Sequence, residues 1–305
     1  MELPDHTIKT FEQKFKDTTI KNIKASMKRI FLNVFELDEF DIKILVKERE
    51  KVFNYITDQT ITSQKTLISH YLNVIETYKI NEIIYNEIKE VYQSIVKYVD
   101  QKRGYIKPTQ DELNNKITLE EINKIRLKFQ KKLTDTYDHY NDQAYMLLSL
   151  YYYLPPLRSQ DYLTTYITRR SNNPYVYSNC IDLEKKEWKI RKYKTDAYHG
   201  DRTIPIPDEL YIILKNYLKK KKYPLLLSKL SNLDEPISTQ YFNYYNKNIF
   251  RRDISTSELR KSYVSNLGDI PYKERELIAF RMGHTLTTQL RTYSKYSKNI
   301  TESNI

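Results

Sequence analysis

The sequence predicts a mainly α-helical protein carrying one small antiparallel β-sheet and divided into two domains. Three observations carry this expectation. Apolar residues recur at three- and four-residue steps over most of the 305 positions, the period of a helix that buries one face. The period shortens to two only within residues 176–206, where Trp188 and Ile190, then Ile204 and Ile206, alternate with polar neighbours. A polar stretch at 101–115, QKRGYIKPTQDELNN, interrupts the helical pattern with Gly104 and Pro108, a linker composition.

Ile20, Ile23, Met27, Ile30, Phe31, Val34 and Phe35 form the first stripe. A second helix is expected across Ile44 to Ile56. The third starts at the polar pair Thr62-Ser63 and carries Leu67, Ile68, Leu72 and Ile75, and NEIIYNEIKEVYQSIVKYV gives the fourth. Four helices with short connections and no strand signal predict a small all-α domain over residues 1–105, with the linker at 106–116 and a second domain over 117–305. After the linker, TLEEINKIRLKFQKKL and QAYMLLSLYYYL have helical spacing, and the second runs on into PPLRSQDYLTTYI. The alternating stretch 176–206 then reads as a three-stranded meander with turns at Glu184–Glu187 and Ala197–Asp201. Helical spacing resumes at Leu210 and continues through STQYFNYYNKNIF, ELRKSYVSNL and PYKERELIAFRM.

Composition narrows the function classes. With 40% hydrophobic and 13% aromatic residues the chain is too rich in core-forming side chains to be disordered, despite 30% charged residues. Its one cysteine, Cys180, excludes an intramolecular disulfide and every multi-cysteine zinc pattern, and no metal site is expected. The charged N-terminus and the lack of a long apolar window predict a soluble intracellular protein. The net charge of +12 sits almost entirely after residue 116, a footprint suited to a polyanion. A lysine-rich surface without function is the competing explanation, and the lysine run 219–222 reads as a solvated helix end.

Single residues are ambiguous. Arg158, in LPPLRSQDY, has Asp161 one turn on and an ordinary i, i+3 ion pair available to it. Lys194 closes the strand WKIRKYKT before a hairpin turn, where most lysines are solvated. Arg260 lies in TSELRKSYVSNL, where Leu259, Val264 and Leu267 face inward. His284 follows Gly283 at the end of PYKERELIAFRM, whose Pro271 suits a helix start, and a histidine there is a favourable dipole partner. Tyr293 stands nine residues after His284, in a chain with 29 tyrosines and 5 histidines.

Taken in order, Arg158, Lys194, Arg260, His284 and Tyr293 resemble the active-site series of the tyrosine recombinases, the phage-type integrase family, which shares its chemistry with type IB topoisomerases. The segments that carry the resemblance are LPPLRSQDY, KYKTDAYHGDRTIPIP, ELRKSY and MGHTLTTQLRTY. The chain is most similar to integrases of large DNA viruses, virophages and related mobile elements. The resemblance implies an α-helical SAM-like core-binding domain at 1–105 and a catalytic domain at 117–305, with TLEEI as its usual opening. It implies that two domains clamp double-stranded DNA, that a homotetramer works across two duplexes, and that neither metal nor cofactor is used. Under it, Tyr293 attacks a phosphodiester to give a 3′-phosphotyrosyl link, with Tyr296 as the runner-up nucleophile. Arg158 and Arg260 fork onto the non-bridging oxygens, Lys194 protonates the leaving 5′-oxygen, and His284 bonds the phosphate or assists the nucleophile. A phenol titrates near 10 in water, so such a site needs cationic neighbours.

One departure from the family pattern is clear. Positions that often hold histidine, three before the second arginine and one after it, hold Ser257 and Lys261 here. This leaves open which group first accepts the tyrosine proton. Lys65, Arg202 and Lys261 are the candidates for DNA phosphate contacts, each equally consistent with a solvated surface. The polar tail after Tyr293 is a candidate exchange element between protomers. Three functions remain in play: a site-specific recombinase or integrase, a type IB topoisomerase acting as a monomer, and a DNA-binding protein that kept the fold without the chemistry.

Overall fold

The computed structural model describes residues 2–103, 108–168, 175, 177–194, 196, 200–221, 223–229 and 231–293. Tyr296 and the tail, Gly104 of the expected linker, Lys222, and much of the turn that follows Lys194 lie outside these residues. The chain divides into two compact units, Met1–Tyr105 and Ile106–Ile305.

Among its described residues the first unit is entirely helical: α1 (Asp5–Lys14), α2 (Asp17–Ile30), α3 (Ile42–Lys47), α4 (Arg49–Thr57), α5 (Ile61–Thr77) and α6 (Glu82–Arg103). The expected first stripe is buried as Ile20, Ile23, Met27, Ile30 and Phe31, packed with Leu67, Ile68, Tyr71, Val74 and Ile75 of α5. Its last part departs from the α form. Phe31–Phe35 make a π turn that ends at Glu36, held at φ 58°. The expected second helix is two, α3 and α4, broken at Glu48, whose φ of −101° and ψ of 30° are not helical. Helix α1 was not expected, although Ile8, Phe11 and Phe15 recur at three- and four-residue steps and pack on the core; the charged residues around them hid so short a stripe.

The second unit begins with α7 (Gln110–Asn114), inside the stretch expected to be linker. A capping box explains it: Thr109 accepts from the Glu112 N–H while Glu112 accepts from the Thr109 N–H. The same device starts α8 (Leu119–Gln130), through Thr118 and Glu121. Helix α9 (His139–Tyr153) is buried along most of its length, and Pro155 and Pro156 prevent its continuation. Then come α10 (Ser159–Leu163), β1 (Thr165–Thr168), β2 (Asn179–Asp182), β3 (Glu187–Ile190) and β4 (Arg202–Pro205). Helices α11 (Asp208–Lys220), α12 (Thr239–Phe250), α13 (Thr256–Ser265) and α14 (Tyr272–Arg281) follow, then a short helical turn at Leu286–Thr288 and a π turn at Gln289–Tyr293.

The sheet corrects the expectation of an antiparallel meander: it has four strands in the order β1-β2-β3-β4, and β1 pairs with β2 in parallel. The added strand was hidden in TTYIT, which continued a helical pattern. Its threonines, tyrosine and isoleucine are strand-formers, and Thr165, Ile167 and Thr168 are buried, so no alternation announces it. Strand β3 is also shorter than WKIRKYKT, because the Asn179 side-chain oxygen takes the N–H groups of Arg191 and Lys192, each at 2.8 Å, in place of ladder partners. Trp188 anchors the sheet, donating to the Thr165 hydroxyl at 3.1 Å and packing edge-on to Tyr162, which also meets Tyr151 and Phe242.

Candidate active site

Four of the five expected site residues converge where helix α14 ends. Two carbonyls left over at that terminus are taken by arginines from other elements: the Arg281 oxygen by Arg202 at 2.7 Å and the Met282 oxygen by Arg260 at 2.8 Å. Gly283 follows with φ 74°, a left-handed turn that suits glycine, and its N–H bonds the Phe280 oxygen while that of His284 bonds the Ala279 oxygen. A Cβ at Gly283 would lie 2.7 Å from an Arg202 Nη1 and 3.0 Å from an Arg158 Nη1. The absent side chain therefore makes room for two guanidiniums.

Arg158 is set by its flanks. The two prolines force extended backbone, and the buried Tyr162 hydroxyl accepts from the Leu157 N–H at 2.9 Å. Arg158 is the N-cap of α10, and its own N–H donates to Asp161 Oδ2 at 3.2 Å. Its Nη1 is buried with no partner among the described residues.

Arg260 sits on α13, which Ser255 caps by accepting from the Glu258 N–H, and is only 1% exposed. It donates to the Pro156 oxygen at 3.3 Å and, through Nη2, to His284 Nδ1 at 2.7 Å. A guanidinium can only donate, so Nδ1 accepts and the neutral imidazole carries its proton on Nε2. Tyr293 completes the group. Its ring lies 4.8 Å from the His284 ring, tilted by 30°, and 4.6 Å from the Arg260 guanidinium carbon. The helical turn and π turn after Thr285 return the chain far enough for that contact, and Ser265 holds the Tyr293 carbonyl at 3.2 Å. Single-turn π segments frequently mark functional sites.

The charges do not balance. Asp161 is buried and lies within electrostatic reach of Arg202, Arg158 and Arg260, one carboxylate among three guanidiniums. Burial holds Arg260 below its ordinary pKa; the Tyr293 phenol opposes that, while the Arg158 charge adds to it. Burial likewise lowers Arg202, against the pull of Asp161, and raises Asp161 despite its cationic neighbours. Such a surplus of buried positive charge favours an anion, and guanidinium forks match the oxygens of a phosphate.

The remaining expectations fall elsewhere. Lys194 is exposed in the turn after β3, and none of the contacts described at the cluster involves it. Arg202 was expected on the hairpin surface; it is fully buried, 3.5 Å from Asp161, with its guanidinium carbon 3.9 Å over the Tyr193 ring. The reason is strand parity, since Arg202 and Ile204 face inward while Thr203 and Pro205 face out. That two-residue alternation was the signal available in the sequence. The Asp161 carboxylate, expected to pair with the Arg158 side chain, serves Arg202 instead. Lys65 is paired with Asp100 at 2.7 Å, and Lys261 with Glu112 and Glu258 at 2.7 and 2.8 Å, so carboxylates engage both. Ser257 is exposed on the first turn of α13.

No helix among the described residues is long and apolar enough to cross a membrane. No family model matches the chain, and no curated protein does. Among solved structures, the chain is similar to XerA recombinase at 14% identity and a TM-score of 0.42, over 94% of this chain and 92% of that one.

Proposed function

We propose that this chain is a site-specific DNA recombinase of the integrase type, cutting and rejoining double-stranded DNA through a 3′-phosphotyrosyl intermediate on Tyr293. The observation that carries the reading is the gathering of Arg158, Arg260, His284 and Tyr293 at one glycine turn, with an unpartnered Arg158 Nη1 and a surplus of buried positive charge. In the reaction the Tyr293 oxygen bonds to phosphorus, the bond from phosphorus to the 5′-oxygen breaks, and the leaving oxygen takes a proton. Charge grows on the non-bridging oxygens at the transition state. In this reading Arg158 gives its unpartnered Nη1 to them, and Arg260, whose Nη1 and Nη2 already hold the Pro156 and Met282 oxygens and His284, contributes its buried charge.

His284 enters as a hydrogen-bond donor. Arg260 occupies Nδ1, so the proton on Nε2 is the one this reading sets against a phosphate oxygen. In this state the imidazole is not the acceptor of the tyrosine proton. Lys194, exposed in the turn after β3, is the residue that supplies the proton for the 5′-oxygen in this reading. Assembly as a tetramer on two duplexes, and an origin among viral or related mobile elements, belong to the same proposal through the sequence resemblance.

The test is covalent trapping. Wild-type protein on a nicked suicide substrate should form a protein–DNA adduct, and Tyr293→Phe should form none while binding the same DNA with unchanged affinity. An adduct that survives in Tyr293→Phe would reject the assignment.

A further inference from the structure

The nearest carboxylate to Arg158 in sequence is Asp161, one helical turn on, a spacing at which an arginine and an aspartate ordinarily pair. The structure shows a different arrangement. Asp161 Oδ2 accepts the Arg158 backbone N–H and lies 3.5 Å from Arg202 Nη2, with the two side chains 1% and 0% exposed. Arg202 is held on three sides, by Asp161, by the Arg281 carbonyl at 2.7 Å and by the Tyr193 ring at 3.9 Å. Fully buried and so held, it is not offered to a ligand itself. Each arginine keeps one buried nitrogen without a partner, Nε in Arg202 and Nη1 in Arg158, but Arg158 is only partly buried and its Nη1 lies within 3.0 Å of the same point above Gly283.

From this we infer that Arg202 is a positioning residue: by occupying Asp161 it keeps the Arg158 guanidinium available for the scissile phosphate. The inference rests on the phosphoryl-transfer reading above and adds a residue to it. By holding the Arg281 carbonyl, Arg202 also fixes the end of α14, from which Gly283 and His284 depart. Asp161 Oδ1 is buried without a partner, so Arg202 acts on this carboxylate mainly through its charge; without that cation Asp161 would draw Arg158 onto itself and close the anion site from within. The first effect acts on the chemical step, since affinity for a long duplex comes from many phosphate contacts spread over the surface, and the second is read in the thermal midpoint.

Four full-length variants test this: Arg202→Gln, Arg202→Lys, Asp161→Asn, and Asp161→Asn with Arg202→Gln. Each is measured for thermal midpoint, affinity for a nicked duplex, and single-turnover adduct rate at saturating DNA, well below the lowest midpoint. Arg202→Gln should lose about tenfold or more in adduct rate with DNA affinity within about threefold of wild type, a split that marks loss at the transition state. Arg202→Lys, which keeps a charge for Asp161, should recover part of the rate. The double variant, which leaves no carboxylate to capture Arg158, should return to within about threefold of Asp161→Asn alone. Adduct formation by Arg202→Gln at the wild-type rate overturns the inference, as does a folded double variant as slow as Arg202→Gln. If Arg202→Gln does not fold, the double variant decides: its rate should stay within about fivefold of wild type, and a larger loss in folded protein rejects the role. A crystal structure gives a readout that needs no activity. In Arg202→Gln, or in Arg202→Lys should the former not fold, the Arg158 guanidinium should move toward Asp161, closing to ion-pair distance in the glutamine variant; its remaining in place would contradict the inference. Wild-type protein that binds DNA but forms no adduct would instead defeat the functional reading, leaving the Arg158–Asp161 geometry to be judged by that structure.

Discussion

At the scale of the residue, Gly283 shows how tightly the cluster is drawn. Replacing it by alanine imposes a side chain on a φ of 74°, a strain of about 1–2 kcal/mol, and drives a Cβ into the Arg202 guanidinium. Gly283→Ala should therefore lower stability by at least about that amount and suppress adduct formation, while DNA affinity changes little; an alanine variant with wild-type adduct rate would contradict the packing described. Much of this site was legible. Arg158, Arg260, His284 and Tyr293 were marked only as an ordered set, by resemblance to a known active-site series, and the structure brings them to one glycine turn. Arg202 was misplaced because an arginine in a hairpin invites a surface assignment, although the parity of Ile204 already put position 202 on the inner face. Burying it required Asp161, which the sequence offered to Arg158 instead.

At the scale of the element, sequence and structure agree wherever a helix has a stripe and a cap. Thr118→Ala removes the capping box of α8 and should cost about 1 kcal/mol, seen as a lower urea midpoint at unchanged slope. They disagree where burial is complete or the stripe is short: β1 lacks alternation because it is largely enclosed, and α1 has only Ile8, Phe11 and Phe15 among many charged residues. Lys221, at the end of α11, belonged to a lysine run expected to be solvated. It is 1% exposed and donates to the carbonyls of Leu225 and Leu226, and burial pulls its ammonium down to about 7. Above the ordinary lysine pKa of 10.5 both folded and unfolded chains are neutral there. As pH falls from that value toward about 7, only the unfolded chain takes up the proton, so stability declines, and below about 7 the contribution levels off. Lys221→Met should flatten the stability profile across that window, by up to about 1.4 kcal/mol per pH unit. Urea melts at pH 7, 8 and 9 check this, and an unchanged slope would show that Lys221 stays charged.

At the scale of the whole molecule, two independent cores carry the two units, one helical and one built on Trp188 and its tyrosines. The division was foreseeable from the polar, proline-bearing stretch near residue 105, whereas α7 inside that stretch was signalled only by the Thr109 and Glu112 pair. The net charge of +12 made a polyanion the expected partner, and the proposed function makes that partner duplex DNA. Its affinity should fall linearly on a logarithmic salt scale, with a slope that counts neutralised phosphates. Lys65→Ala and Lys261→Ala should leave that slope nearly unchanged if Asp100, Glu112 and Glu258 keep these lysines engaged, and a drop of about one unit in either would show that its ion pair opens on DNA.

The most direct measurement is to trap the protein on a nicked duplex, digest the adduct, and locate the nucleotide-bearing peptide by mass spectrometry. A phosphodeoxynucleotide on Tyr293 is the result this structure leads us to expect, because the Arg260 guanidinium and the His284 imidazole lie against its ring, with Arg158 at the same glycine turn. An adduct on Tyr296 or another side chain, or none from protein that binds the duplex, would contradict it.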